Sequence, residues 1–145
     1  MDFICKERLH WTPLSADQRH AGSMFAYKSS VPFEDASDYK ILRNDWPYRW
    51  QQGVTHICVW LKNRLPAEAE TGKLTPEGRQ MMDAFVQKTF IESLGRDGQD
   101  QVLWFKNWTA LQSIAALEHF HVLVKDVPEW KIHEWTDFDT TIHED

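Results

Sequence analysis

Between residues 54 and 62 the chain alternates strictly, with Ile57, Val59 and Leu61 on one side and His56, Cys58, Trp60 and Lys62 on the other. A period of two marks a strand whose two faces meet different surroundings. The same pattern returns over 101–107, where Val102, Trp104 and Lys106 alternate with Leu103 and Phe105, and over 119–125, where Phe120, Val122 and Val124 alternate with His119, His121, Leu123 and Lys125. Between the first two runs the period changes. Thr75-Pro76 supplies a capping hydroxyl and a proline at the first helical position, where its missing amide costs nothing. Met81, Met82, Phe85, Val86, Phe90, Ile91 and Leu94 then recur at helical spacing up to Gly95, which predicts a core-packed helix over about 75–94 capped by a left-handed glycine. Leu111, Ile114 and Ala115 predict a shorter helix at 109–117, and 39–42 suits a short strand or a helical turn.

Strand, helix, strand, helix, strand is the order of an α/β protein, here a single-domain layered sheet of at least three strands at 54–62, 101–107 and 119–125. Right-handed crossovers would make neighbouring strands parallel, but the connection over 109–117 is near the minimum length for a parallel return. An antiparallel or mixed sheet with helices on one face is the alternative. Residues 1–145 read as one domain. Residues 1–11 form an amphipathic helical stretch that begins abruptly, as if truncated, and 22–38 reads as a surface loop. From 128 onward Trp130, Trp135 and Phe138 would dock the tail while its acidic end, 136–145, frays.

Composition narrows the picture further. The chain has 145 residues, 42% hydrophobic and 26% charged, enough for a real core, and no run approaches the ~20 apolar residues of a membrane span. Its first residues lack the basic and apolar segments of a secretory signal, so a cytoplasmic location is expected. Cys5 and Cys58 have no metal-finger or disulfide spacing, and no resident cofactor or metal is assigned. A net charge of -6 argues against a protein that coats nucleic acid, while leaving room for a local basic patch. Eight tryptophans serve either core packing or an aromatic-lined pocket.

The candidate chemistry lies on the polar strand faces. If the three strands adjoin, His56, Trp60 and Lys62, then Trp104 and Lys106, then His119 and His121 form one wall of a pocket for a small ligand. Imidazoles act as acid, base or ligand near neutrality, ammonium groups hold anions, and indoles shape a slot for a planar or sugar-like molecule. The corner Asp45-Trp46-Pro47-Tyr48 would form the rim. His119 and His121 could bind a divalent metal with His56 or Glu118, although alternation turns Glu118 away from them. Each also has a structural reading: a hydrogen-bonded strand histidine, solvated strand-end lysines, a rigid corner at the proline. No Gly-rich phosphate loop, GxSxG elbow or HExxH helix is present.

Pro32-Phe33, Ser37-Asp38-Tyr39, Asn44-Asp45-Trp46-Pro47-Tyr48, His56-Ile57-Cys58-Val59-Trp60, Val102 to Asn107, Leu111-Gln112-Ser113 and Glu118-His119-Phe120-His121-Val122 together resemble the fungal family named after N-acetylglucosamine-induced protein. Arginine-containing cyclodipeptide synthases of fungi are similar to that family. The resemblance implies an enzyme that draws activated arginine from its transfer RNA and closes a diketopiperazine. On that reading His56, His119 or His121 is the base, Lys106 and Asn107 are donors to the oxyanion, and Asp45 or Glu118 reads a guanidinium. Trp46, Tyr48, Trp60, Lys62 and Trp104 would complete the substrate site, and aminoacyl-tRNA would dock on a local basic patch. A non-catalytic binding or regulatory domain for a small polar metabolite, such as an amino sugar, is the alternative.

Overall fold

The computed structural model describes residues 11, 25–43, 53–68, 70–71, 73–106 and 118–136. Four strands form one sheet: β1 (Tyr39–Arg43), β2 (Val54–Leu61), β3 (Val102–Phe105) and β4 (Glu118–Lys125), in the order β1-β2-β4-β3. Every neighbouring pair is antiparallel. The chain is thus an α/β protein on an antiparallel sheet, and the parallel arrangement is corrected. The physical reason lies in β4, which inserts between β2 and β3. Those two strands run the same way, each antiparallel to β4, so the helical crossover between them spans a strand rather than placing them side by side. The short stretch at 39–43 is a strand, pairing Ile41 with Val59 and Leu42 with Cys58.

The helix begins where Thr75 and Pro76 place it. Helix α1 (Pro76–Val86) is capped by the Thr75 hydroxyl, which accepts from the Gly78 amide. It continues through a π turn (Gln87–Ile91) into α2 (Glu92–Leu94). Gly95 ends it at φ 87° and ψ -146°, a glycine conformation with positive φ but not the left-handed helical cap. A one-turn helix, α3 (Gly98–Gln101), leads into β3, and α4 (Glu129–Trp135) follows β4. The tail therefore docks through a helix that its sparse apolar pattern did not announce. Trp135 packs edge-on against Phe90 at 4.9 Å while Trp130 stays exposed. The stretch 1–10, the helix expected at 109–117 and residues 137–145 lie outside the described residues.

The core is built from the apolar side of the two central strands and the helical stripe. Ile57, Val59 and Leu61 of β2 and Phe120, Val122 and Val124 of β4 meet Met82, Phe85, Val86 and Phe90, with Ile132 and Trp135 of α4. Phe33, whose backbone takes φ 69°, stacks on Phe85 at 4.2 Å and brings the loop before β1 onto the same core. That loop is anchored by Asp38, whose buried carboxylate accepts from the amides of Lys28 and Ser29 at 2.8 and 2.9 Å. Asn63 adds a bond from its side-chain amide to the Ser29 carbonyl at 2.9 Å. What reads as a surface loop is pinned to the sheet by two buried polar side chains.

Candidate functional site

The opposite side of the sheet carries the chemistry. Register fixes it: Cys58 lies across from His121, Trp60 from His119 and His56 from Leu123, so the alternating side chains of β2 and β4 gather on one face. The His56 Nε2 and His121 Nδ1 atoms are 2.9 Å apart, and the Cys58 sulfur is 3.4 Å from the same His121 nitrogen. His119 stacks on the Trp60 indole at 4.6 Å and meets the His121 ring edge-on at 5.4 Å. From β3, Phe105 pairs with His121 in register and covers its ring in a stacked contact at 4.8 Å. Leu42 of β1, across from Cys58, closes the other side.

Burial sets the charge state of this cluster. His56 and Cys58 are buried and His121 half-buried. Desolvation lowers the His56 pKa to about 4. His121 falls to about 4 as well, by desolvation first and then by the like-charge influence of His119, His56 and Lys106. Both rings are neutral at pH 7, and they present nitrogen lone pairs and N–H donors rather than cationic charge.

Several expected members are elsewhere. Trp104 does not share this wall: it pairs with Val122 on the core side, donates its indole N–H to Asp83 at 2.8 Å and lies under the Arg79 guanidinium at 5.3 Å. Lys106 is likewise turned away, in a buried ion pair with Glu118 at 2.8 Å. Glu118 also accepts from the Leu65 amide at 3.0 Å and sits 3.9 Å from Arg64. The cause is the alternation itself, since Glu118, Phe120 and Val122 share one parity and His119 and His121 the other. Lys62 keeps its side but ends over the Trp11 ring, 5.2 Å from its centre. Asp45, Trp46, Tyr48 and Asn107 lie outside the described residues. Phe105 is the residue that pattern reading missed; its alternation partner Leu103 was the available signal, because opposite parity to Trp104 put both on the histidine side.

A groove of about 390 Å³ runs beside β3, lined by Lys73, Leu74, Arg79, Trp104, Phe105 and Lys106. Phe105 thus stands between this basic groove and the histidine cluster. Among the described residues, no helix is long and apolar enough to cross a membrane.

Fold and site define an antiparallel α/β protein with a desolvated histidine-cysteine cluster on the sheet face opposite its core. Residues 1–125 match the family described as "Protein of unknown function (DUF3605)", and the chain belongs to that family. It is 32% identical over 141 residues to N-acetylglucosamine-induced protein 1 of Candida albicans, covering 92% of this chain and 55% of that protein. An uncharacterised protein of Saccharomyces cerevisiae is 34% identical over 93 residues, covering 63% of this chain and 46% of that one. The chain spans about half the length of these curated relatives. The crystal structure of HTC1 is similar at a TM-score of 0.56 and 25% identity, covering 99% of this chain and 71% of that one.

Proposed function

We propose that this chain is a small aminoacyl-transfer enzyme that forms a diketopiperazine from aminoacyl-tRNA, in the manner of fungal arginine-containing cyclodipeptide synthases. In that chemistry the α-amine of one aminoacyl group attacks the ester carbonyl of another. The ester C–O bond breaks and its ribose hydroxyl leaves; the free amine of the resulting dipeptidyl ester then attacks the remaining ester carbonyl, and the second ribose hydroxyl leaves as the ring closes. The attacking amine is nucleophilic only after losing a proton, so the site must supply a neutral base in a water-poor setting.

The observation that carries the reading is the 2.9 Å contact between His56 Nε2 and His121 Nδ1 on a half-buried face. A ring with a pKa near 4 is a weak base by itself. Its neutral neighbour offsets part of that weakness by accepting the N–H of the imidazolium as it forms, while the Phe105 and Trp60 rings exclude water. Activated arginine would enter along this face, with the groove lined by Lys73, Arg79 and Trp104 receiving the phosphate and base of the transfer RNA end.

The test is expression of the soluble chain in bacteria, with mass spectrometry of the medium and cell extract. A new arginine-containing diketopiperazine is expected, reduced at least ~100-fold by His121→Ala, the lower range for loss of a general base. Soluble protein with no such product would overturn the reading.

A further inference from the structure

We propose that His56, Cys58 and His121 supply three of the four ligands of a site for one thiophilic divalent cation of the zinc class. Their donor atoms, two imidazole nitrogens and one sulfur, all lie within 4.8 Å of one another. The strands hold them there. His56 and Cys58 are two apart on β2 and project to the same side, and His121 faces Cys58 directly across the β2–β4 pair.

The geometry suits a metal better than it suits hydrogen bonding alone. A neutral imidazole Nδ1 offers either one proton or one in-plane lone pair. His121 Nδ1 is approached both by His56 Nε2 at 2.9 Å and by the Cys58 sulfur at 3.4 Å, and strong bonds to both are mutually exclusive. A cation between the three atoms uses one lone pair from each. Bond lengths of ~2.0–2.1 Å to nitrogen and ~2.3 Å to sulfur set tetrahedral N···N and N···S spacings of about 3.3 and 3.6 Å. The two contacts to His121 need to open by a few tenths of an ångström, and the widest donor separation, which reaches 4.8 Å, needs to close by about an ångström, a change within reach of side-chain rotation.

Donor chemistry selects the ion. Two imidazoles with one thiol prefer zinc, cobalt or copper, whereas magnesium, calcium and manganese favour oxygen donors. The Cys58 thiol loses its proton on binding and offsets half of the cation's charge, and the nearby Lys106 ammonium is already matched by Glu118. The stacked Phe105 and the buried Leu42 make the surroundings apolar, which strengthens each bond to the ion. This inference does not depend on the aminoacyl-transfer reading. Where both hold, a bound cation occupies the lone pairs that proton transfer needs, so zinc inhibits.

The experiment reads binding rather than activity. The chain, stripped with chelator, is titrated with Co²⁺ and followed by absorption. One equivalent should give the intense visible bands of a tetrahedral ion and a near-ultraviolet band from thiolate-to-cobalt charge transfer, both bleached by Zn²⁺. Cys58→Ser should abolish the thiolate band, Cys5→Ser should keep it, and His121→Asn should weaken binding by ~100-fold or more, beyond the effect of losing a supporting outer residue. Near-ultraviolet circular dichroism of the metal-free variants checks that they fold. The proposal is overturned if the wild-type chain shows no saturable binding, if the thiolate band survives Cys58→Ser, or if it disappears in Cys5→Ser.

Discussion

The two sides of the central strand pair differ in kind. Ile57, Val59, Phe120, Val122 and Val124 face the helices with no exposed surface, and their side chains pack in an apolar cluster. Across the backbone, one residue away along the same strands, His56, Cys58, Trp60 and His119 are buried and His121 is half-buried, yet all of them carry polar atoms. The core side contributes stability in proportion to the apolar area it hides. The histidine side gives up some stability by desolvating imidazoles and gains neutral, closely spaced donor atoms in return. The contrast teaches that burial on this sheet serves two ends: adhesion on one face and control of protonation on the other.

Substitutions should separate the faces by size of effect. Phe120→Ala removes a fully buried ring from the core side and is expected to cost ~3–5 kcal/mol in urea unfolding. A loss below ~1 kcal/mol would mean the core side is less tightly packed than its contacts imply. Glu118→Ala should follow at about 3 kcal/mol, because it strands the buried Lys106 charge and the Leu65 amide. Full stability in that variant would show that the ion pair is solvated. On the histidine face, His56→Asn should cost only about 1 kcal/mol at pH 8, the net worth of one hydrogen bond.

The same face should dominate the acid response. Burial holds His56 and His121 at about 4 in the fold against 6.5 for an unperturbed histidine, so between these values the unfolded chain binds more protons. Stability is full above pH 6.5 and is lost as the pH falls toward 4. Unfolding free energies measured in steps across this window should slope upward with pH, and the double variant His56→Asn/His121→Asn should flatten the slope. An unchanged slope would place the acid sensitivity among carboxylates instead.

How much of this was legible beforehand varies by element. The start of α1 was, because Thr75 and Pro76 act locally through one hydroxyl and one fixed dihedral. The strand faces of β2 and β4 were too, since a period of two needs no partner to be read. Trp104 and Lys106 were assigned to the wrong side because a short strand with aromatic residues at both parities gives no apolar side to choose. Its facing is set by the register with β4, where Val122 takes Trp104 and His121 takes Phe105. Helix α4 was missed for a related reason: in its seven residues Ile132 and Trp135 are the buried ones, too few for a period to emerge.

The sequence by itself determined which residues share a strand face, where the main helix starts and ends, and that His119 and His121 point away from Glu118. These follow from backbone geometry and local sterics, which every segment carries with it. Only the tertiary structure decided that β4 lies between β2 and β3, that His56 and Cys58 meet His121, and that Lys106 turns to Glu118. The contacts of His56 and Cys58 with His121 join residues more than sixty positions apart. Their energy comes from burying both strands against common neighbours, and no local pattern encodes it.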